Sequence, residues 1–413
     1  MLRIKLFIIL IPIFFVAVAM SQGKRTDKGT FEEWSSEFWD IVEEEIDVFA
    51  EPRDEPKKYF KIDLSDWDLP DDPNEFIQYW HNKPVNQGRT GTCWCYSSSS
   101  YFESEIYRLT GRKMNISLMH TVYWETVEKA RRFIRERGDS EFSQGSLFNG
   151  TIRIFSSYGA VPSEAYSGLK PGQKHFDHDQ LWAEMTNYLD HIVEVSNWNE
   201  DEILETIKSI LDHYLGVLPE TVVINGMKMT PKEYLNNVVN LDLDDYVNIM
   251  SLMEVPFWER GQFDVPDNWW KNSEYYNVPL DIFIDAINSA LESGYTVGIG
   301  GDNSEAGIHP HYDVAVIPSF DIPGDYINDE ARQFRFSNKS TTDDHAMHMV
   351  GYSDRENGRW YLIKDSGSGA HTGEITGYYF FHDDYIRLKI MNIIVHKDAV
   401  TELLKRFDTI INE

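Results

Sequence analysis

From Trp94 to Leu109, apolar residues (Trp94, Tyr101, Phe102, Ile106, Leu109) return at intervals of three and four, and Gly111 stands where a left-handed cap would end a helix. A second amphipathic stretch, 112–139, sets Tyr123, Val127, Ala130 and Phe133 on one face. Ser143–Gly150 reads as a loop and Tyr158–Tyr166 as a turn. Residues 170–275 are again rich in helical patterns, with Thr230 as a cap and Pro231 at the first position of one helix. The texture changes after Asn277. Leu280, Ile284, Ile287 and Leu291 mark one more helix face, Gly294 breaks it, and Tyr295–Ile299 opens an alternating strand, beyond which the chain reads mainly as β. Alternation across Thr341–Tyr352 places His345, Met347 and Met349 on one face and Ala346, His348 and Val350 on the other. Asp398–Glu413 reads as a closing helix with a short tail. The pattern predicts an α+β chain, helices first and sheet last.

Length adds that 413 residues exceed what one core usually serves, so two lobes are expected. The formal charge of −30 argues against nucleic acid and against an anionic membrane surface, both of which need a basic footprint. Met1–Ala19 carries Arg3 and Lys5, an apolar run from Leu6 to Val18 and a small-residue site at Ala17-Val18-Ala19, which reads as a signal peptide. The protein is therefore expected to be exported, periplasmic or secreted, with no stable membrane association after cleavage. Residues 20–75 form an N-terminal arm, 76–279 a helical lobe with an insertion at about 170–275, and 280–413 a β-rich lobe with the C-terminal helix.

Only two cysteines occur, Cys93 and Cys95. Cys93 would open the first helix, where unpaired N–H groups and the positive dipole end stabilise a thiolate. Cys95 falls about 200° around that helix and is expected to be buried filler. Gln87, with Gly88 and Gly91 permitting a tight loop, lies where its amide and the Cys93 N–H can donate to a tetrahedral oxyanion. A nucleophile needs a base, and the base an orienting group. His345 and Asp365, from the β half, are the candidates. Two registers of their hairpin are compatible with the sequence. A tight Asn357-Gly358 turn sets Val350 opposite Asp365, whereas pairing His345 with Asp365 asks for a wider loop over Asp354–Gly358.

The run Asn86-Gln87-Gly88 to Gly91-Thr92-Cys93-Trp94 resembles the active-site segment of papain-like cysteine peptidases. The absence of a cysteine before Cys93, the Tyr158-Gly159-Ala160-Val161-Pro162 turn, the Thr230-Pro231 helix start and the His345-Ala346-Met347 segment are similar to the aminopeptidase C and bleomycin hydrolase branch. His345 follows Cys93 by far more than the roughly 130–150 residues of papain, and the 170–275 insertion fits the excess. The resemblance implies a papain-like two-lobed fold, a helical lobe plus a β-barrel-like lobe with a large helical insertion. It implies peptide-bond hydrolysis by Cys93, His345, Asp365 and Gln87, with Gly145, Ser146 and Trp94 at the substrate. No cofactor or metal is implied, peptides are the expected partners, and homo-oligomerisation stays open. In relatives a C-terminal carboxylate captures the substrate amine, but Asp398–Glu413 does not match the family's usual ending. Asp365 stands where the family has Asn, and Gly367 where it has a Trp that shields the pair, for which Trp360 is a candidate substitute.

Two other readings remain at this stage: a catalytically weakened papain fold that binds peptides, motivated by Asp365 and Gly367, and a metal-dependent hydrolase. For the latter, His309-Pro310-His311 and His175-Phe176-Asp177-His178 have ligand-like spacing but no clear carboxylate partner, and the acidic run at Asp242–Asp245 lacks the glycine and distal glutamate of a calcium loop.

Overall fold

The computed structural model describes residues 26–33, 35–46 and 58–411. The Met1–Ala19 segment lies outside the described residues. After the arm, whose Glu37–Ile46 segment is helical, the first half is built on α1 (Cys93–Thr110), α2 (Leu118–Arg135), α3 (Phe148–Tyr158), α4 (Asp179–Val195) and α5 (Glu200–Leu215). Their shared core includes Phe102, Val127, Ala130, Phe155 and Ile207. Gly111 caps α1 in the left-handed region at φ +69°, as the pattern predicts. Thr230 and Glu233 make a reciprocal capping box at the start of the Pro231 helix.

The second half is organised by a long mixed sheet. Its central strands are β1 (Tyr246–Met250), β2 (Val297–Gly301), β3 (His345–Arg355), β4 (Gly358–Lys364), β5 (Tyr378–His382) and β6 (Ile390–His396), with helix α6 (Leu280–Glu292) before β2 and α7 (Thr401–Ile411) closing the chain. Strands β5, β4, β3, β2, β6 and β1 are successive neighbours, each pair antiparallel. Phe283, Ile287 and Leu291 of α6 join Ile299, Met347 and Ile393 in a second core.

Three expectations need correction. The loop over Ser143–Gly150 ends early, because Phe148 begins α3, whose apolar Ile154 and Phe155 are buried. Strand β1 belongs to the sheet although it lies inside the stretch read as helical insertion; its buried Asn248 breaks the apolar pattern that would have marked it. The β3–β4 hairpin follows neither of the two expected registers. Arg355 pairs with Gly358 across a tight Glu356-Asn357 turn, and an irregularity between Met349 and Gly351 shifts the pairing so that His348 faces Lys364.

The halves meet along α1. Ser97, Ser98, Ser99 and Ser100 are all buried, and side chains this small let the helix lie close to β3. Ser100 Oγ lies 2.8 Å from His348 Nδ1 and accepts a hydrogen bond from Lys364 Nζ, also at 2.8 Å. On the sheet side the Gly298-Ile299-Gly300-Gly301 run supplies the clearance. A Cβ on Gly298 would come within 2.6 Å of the Phe148 ring, and one on Gly300 within 2.5 Å of Asn392 Nδ2. These glycines let α3 and β6 side chains sit directly on β2.

Candidate active site

Cys93 is the first residue of α1, half-buried with a free thiol. The N–H groups of a first helical turn have no intrahelical acceptor, so the Cys93 N–H is available to an anion beside its own sulfur. Cys95 is fully buried; its thiol donates to the Leu118 carbonyl at 3.4 Å, and burial pushes its acidity far out of the useful range. The two cysteines are thus separated in environment as well as direction.

His345, the first residue of β3, reaches Asp365, the residue after β4, with Nε2 and Oδ1 2.6 Å apart. Both side chains are buried. With Nε2 engaged, Nδ1 is the ring nitrogen left for Cys93, which acts on the same imidazole. Burial alone would push the His345 ring down, but the charges and hydrogen bonds of Asp365 and Cys93 outweigh it and hold it well above its ordinary value. Burial would likewise raise Asp365, yet His345 and the Gly367 N–H, which donates to Oδ1 at 2.9 Å, keep it below the usual range. This is the electrostatic signature of an imidazolium stabilised by a buried carboxylate.

Gln87 joins the halves next to this pair. Its N–H donates to the Ser366 carbonyl at 2.9 Å, and its Oε1 accepts from Ser366 Oγ at 2.7 Å. One Nε2 hydrogen goes to the Thr90 carbonyl at 2.6 Å, which leaves the second hydrogen of a fixed amide. The loop after α2 closes against the same turn: Gln144 Oε1 accepts from the Gly91 N–H, and its carbonyl from Trp94 Nε1.

Not every expected residue faces the cleft. Trp94 is buried in the helical core and held by Gln144, so it does not line the Cys93 cleft; a first-turn side chain pointing back along α1 reaches the core instead. Ser146 borders Cys93, but its hydroxyl turns away to Glu125 at 2.6 Å. Gly145 is overlain by the Asp267 carboxylate, whose Oδ1 lies 2.0 Å from where a Cβ would be. Trp360 does not replace the tryptophan absent at 367: it donates to Asn357 near the hairpin turn and packs on His382. The charge of His371 acts on Asp365 from beside Gly367, its Nδ1 lying 3.0 Å from the Gly367 carbonyl, and Phe38 of the N-terminal arm packs on His371 at 5.1 Å between ring centres.

Asp267, Asp343 and Asn392 also border Cys93 and His345, and no motif in the sequence marks them. The Asp343-Asp344 pair immediately before His345 was the available signal. The histidines with metal-like spacing are accounted for otherwise, His309 lying 3.2 Å from Glu32 and His178 being buried. Among the described residues no group of three or more His, Cys, Asp or Glu is placed to hold a metal ion. The acidic run pairs internally and with Lys397, whose Nζ is 2.5 Å from Asp245.

A two-lobed α+β fold with a cysteine at a helix start and a His–Asp pair arriving from the sheet defines a class, the papain-like cysteine peptidases. The Peptidase C1-like family model matches residues 220–411, which include His345 and Asp365 and begin after Cys93. Aminopeptidase C of Lactococcus lactis subsp. lactis (strain IL1403) is 23% identical over 373 residues, covering 80% of this chain and 84% of that protein. Aminopeptidase C of Listeria monocytogenes serovar 1/2a is 22% identical over 373 residues, covering 79% and 83%. The crystal structure of PepW from Lactobacillus rhamnosis HN001 aligns with a TM-score of 0.65 at 17% identity, over 80% of this chain and 83% of that one; at this identity the likeness speaks for the fold. Over about four-fifths of its length the chain is thus similar to aminopeptidase C proteins, and its fold is that of PepW.

Proposed function

We propose that this chain is an exported peptidase in which Cys93 is the nucleophile, His345 the general base and acid, Asp365 the orienting carboxylate, and Gln87 with the Cys93 N–H the oxyanion donors. The observation that carries this reading is the 2.6 Å contact from His345 Nε2 to Asp365, with Cys93 acting on the same ring. In the reaction the Cys93 proton passes to His345 Nδ1 and the sulfur attacks the peptide carbonyl carbon, moving an electron pair onto oxygen. The oxyanion is held by the Cys93 N–H and the free Gln87 Nε2 hydrogen. His345 then protonates the leaving nitrogen as the C–N bond breaks. Water gives a proton to His345, attacks the thioester, and the C–S bond breaks to restore the thiolate.

The aminopeptidase C relatives support removal of N-terminal residues as the mode of cleavage. Export rests on the Met1–Ala19 pattern. One experiment tests the chemistry: the protein without residues 1–19 is assayed on N-terminally free and blocked peptides, with and without iodoacetamide, beside C93A. Peptide cleavage abolished by alkylation and by C93A is expected. A wild type that binds peptides but cleaves none would favour the binding-protein reading, and inhibition by chelator alone would favour a metal enzyme.

A further inference from the structure

The wall of the Cys93 cleft carries more carboxyl groups than acyl transfer needs. Asp267, Asp343 and Asn392 border the small cavity that also holds Cys93 and His345. Asp267 lies over Gly145 and makes no hydrogen bond of its own among the described residues. Lys129, whose charge acts on Asp267, is committed to the carbonyls of Ser143 and Gly145. Asn392 is wholly buried on β6; its Nδ2 donates to Asp343 Oδ1 at 3.2 Å, while its Oδ1 has no partner. Gly300 makes this arrangement possible, since a Cβ there would meet Asn392 Nδ2 at 2.5 Å and Asp343 Oδ1 at 3.1 Å. The cavity wall therefore offers the carboxylates of Asp267 and Asp343 and an amide oxygen, all acceptors, while the third carboxylate on it, Asp344, accepts from the Asn303 N–H at 3.0 Å.

Burial pushes Asp267 up to about 6, against the pull of Lys129. Burial also raises Asp343 well above its ordinary value, with Asp267 and Asp344 adding to it. Two carboxylates sharing a partly desolvated wall are destabilised until a cation or a proton joins them. An ammonium group, with three donors and a positive charge, is the complement of this acceptor set.

We propose that Asp267, Asp343 and Asn392 Oδ1 form a receptor for a primary ammonium group of the peptide, one residue or less from the carbonyl that Cys93 attacks. The ammonium comes either from the peptide's free N-terminus or from a lysine side chain. Asp267 then has a second consequence: lying over Gly145, it puts a carboxylate in the path of a chain that continues past the ammonium. This receptor deepens the peptidase reading and rests on it for its purpose, but its binding can be read without turnover.

The test has two arms. In C93A, calorimetry measures binding of alanyl-alanine, acetyl-alanyl-alanine and acetyl-lysyl-alanine. In the active protein, kcat and KM are measured on the aminomethylcoumarin amides of alanine, acetyl-alanine and acetyl-lysine, with D267N and D343N beside wild type. Expected is preference for an ammonium-bearing peptide over acetyl-alanyl-alanine, reduced roughly 10- to 100-fold by C93A/D267N or C93A/D343N, as for loss of a charged hydrogen bond. In turnover the loss should fall mainly on KM, while Cys93 alkylation by iodoacetamide is no slower. Loss confined to the alanyl probe identifies the N-terminus, and loss confined to the acetyl-lysyl probe the side chain. Equal binding of all three peptides by C93A, or aspartate variants indistinguishable from wild type, overturns the receptor. A wild type that cleaves nothing yet binds ammonium peptides through Asp267 overturns the peptidase reading and keeps the receptor.

Discussion

His345 opens one strand and Asp365 follows the next, and their side chains meet at 2.6 Å although the backbone register sets neither opposite the other. The contact is made diagonally, beyond the last paired residues of the hairpin. Each partner is held in its charged form by the other. Replacing Asp365 with alanine leaves a buried imidazole without its partner and is expected to cost about 3 kcal/mol or more. The pH dependence has a defined sign. Asp365 lies below its ordinary 3.8, so its contribution is present above that value and is lost as pH falls through the folded value. His345 lies above its ordinary 6.5, so its contribution is present below 6.5 and is lost as pH rises through the folded value. The stability gap between wild type and D365N, measured by denaturant unfolding, should be widest near pH 5 and narrow on both sides. A gap independent of pH would sink this account.

The same pair predicts thiol behaviour. Cys93 stands half-buried at a helix start beside a His345 held protonated, whereas Cys95 is fully buried and its thiol is pushed up by burial. Iodoacetamide should therefore modify Cys93 alone near pH 6, and D365A should slow that modification roughly tenfold or more, in line with loss of a base-orienting group. Mass spectrometry of the labelled protein reads both outcomes. Labelling of Cys95 at a similar rate would contradict the burial argument.

Gly367 gives a sharper test of the departure from the family pattern. A Cβ there would lie 3.5 Å from Asp365 Oδ1 and from the His345 ring, ordinary contact distances. Its φ is not in the left-handed region, so alanine fits and reduces the freedom of the unfolded chain. G367A should be as stable as wild type or up to about 1 kcal/mol more stable, with Cys93 alkylation unchanged. A loss of stability would mean that the turn after Asp365 needs glycine.

How much of this was legible in the sequence depended on whether the signal was local. The α1 pattern, the Gly111 cap and the Thr230 start follow from periodicity and capping, which neighbouring residues determine. The hairpin register did not, because the irregularity at Val350 is set by contacts across the sheet, including Gln78 pairing with Gly351. Trp94 and Trp360 were drawn towards the site by their neighbours in sequence, although both aromatic bodies are buried elsewhere. Asp267 comes from the loop between Gly261 and Tyr275 and Asn392 from β6, so no spacing rule brings them to Cys93.

Glycine in β2 is required by close packing rather than by backbone angle. On Gly298 a methyl group would lie 2.5 Å from Ile394 and 2.6 Å from Phe148, both buried in rigid elements. G298A is expected to destabilise the protein by about 1–3 kcal/mol, the usual cost of overpacking. Thermal unfolding of G298A against wild type measures it, and an unchanged midpoint would show that α3 can move off β2 freely.

Lys364 tests the interface behind the nucleophile helix. Its ammonium is buried and donates to Ser100, and burial lowers it to about 8 despite the opposing pull of Glu103. A base lowered in the folded state works against stability. Between about 8 and the ordinary 10.5 the unfolded chain holds a proton that the folded chain has released, so stability rises with pH across that window, and the full penalty applies below it. K364M keeps the length and apolar stem while removing the charge, at the cost of the Ser100 hydrogen bond. It should therefore be more stable than wild type at pH 7 by about 1–3 kcal/mol, as for replacement of other buried ionic groups. The advantage should shrink as pH approaches 10.5, where wild-type Lys364 is neutral in both states. Denaturant titrations of both proteins at pH 7 and pH 10 decide it: a variant less stable at pH 7 would mean that the ammonium is a net contributor to the contact between α1 and β4.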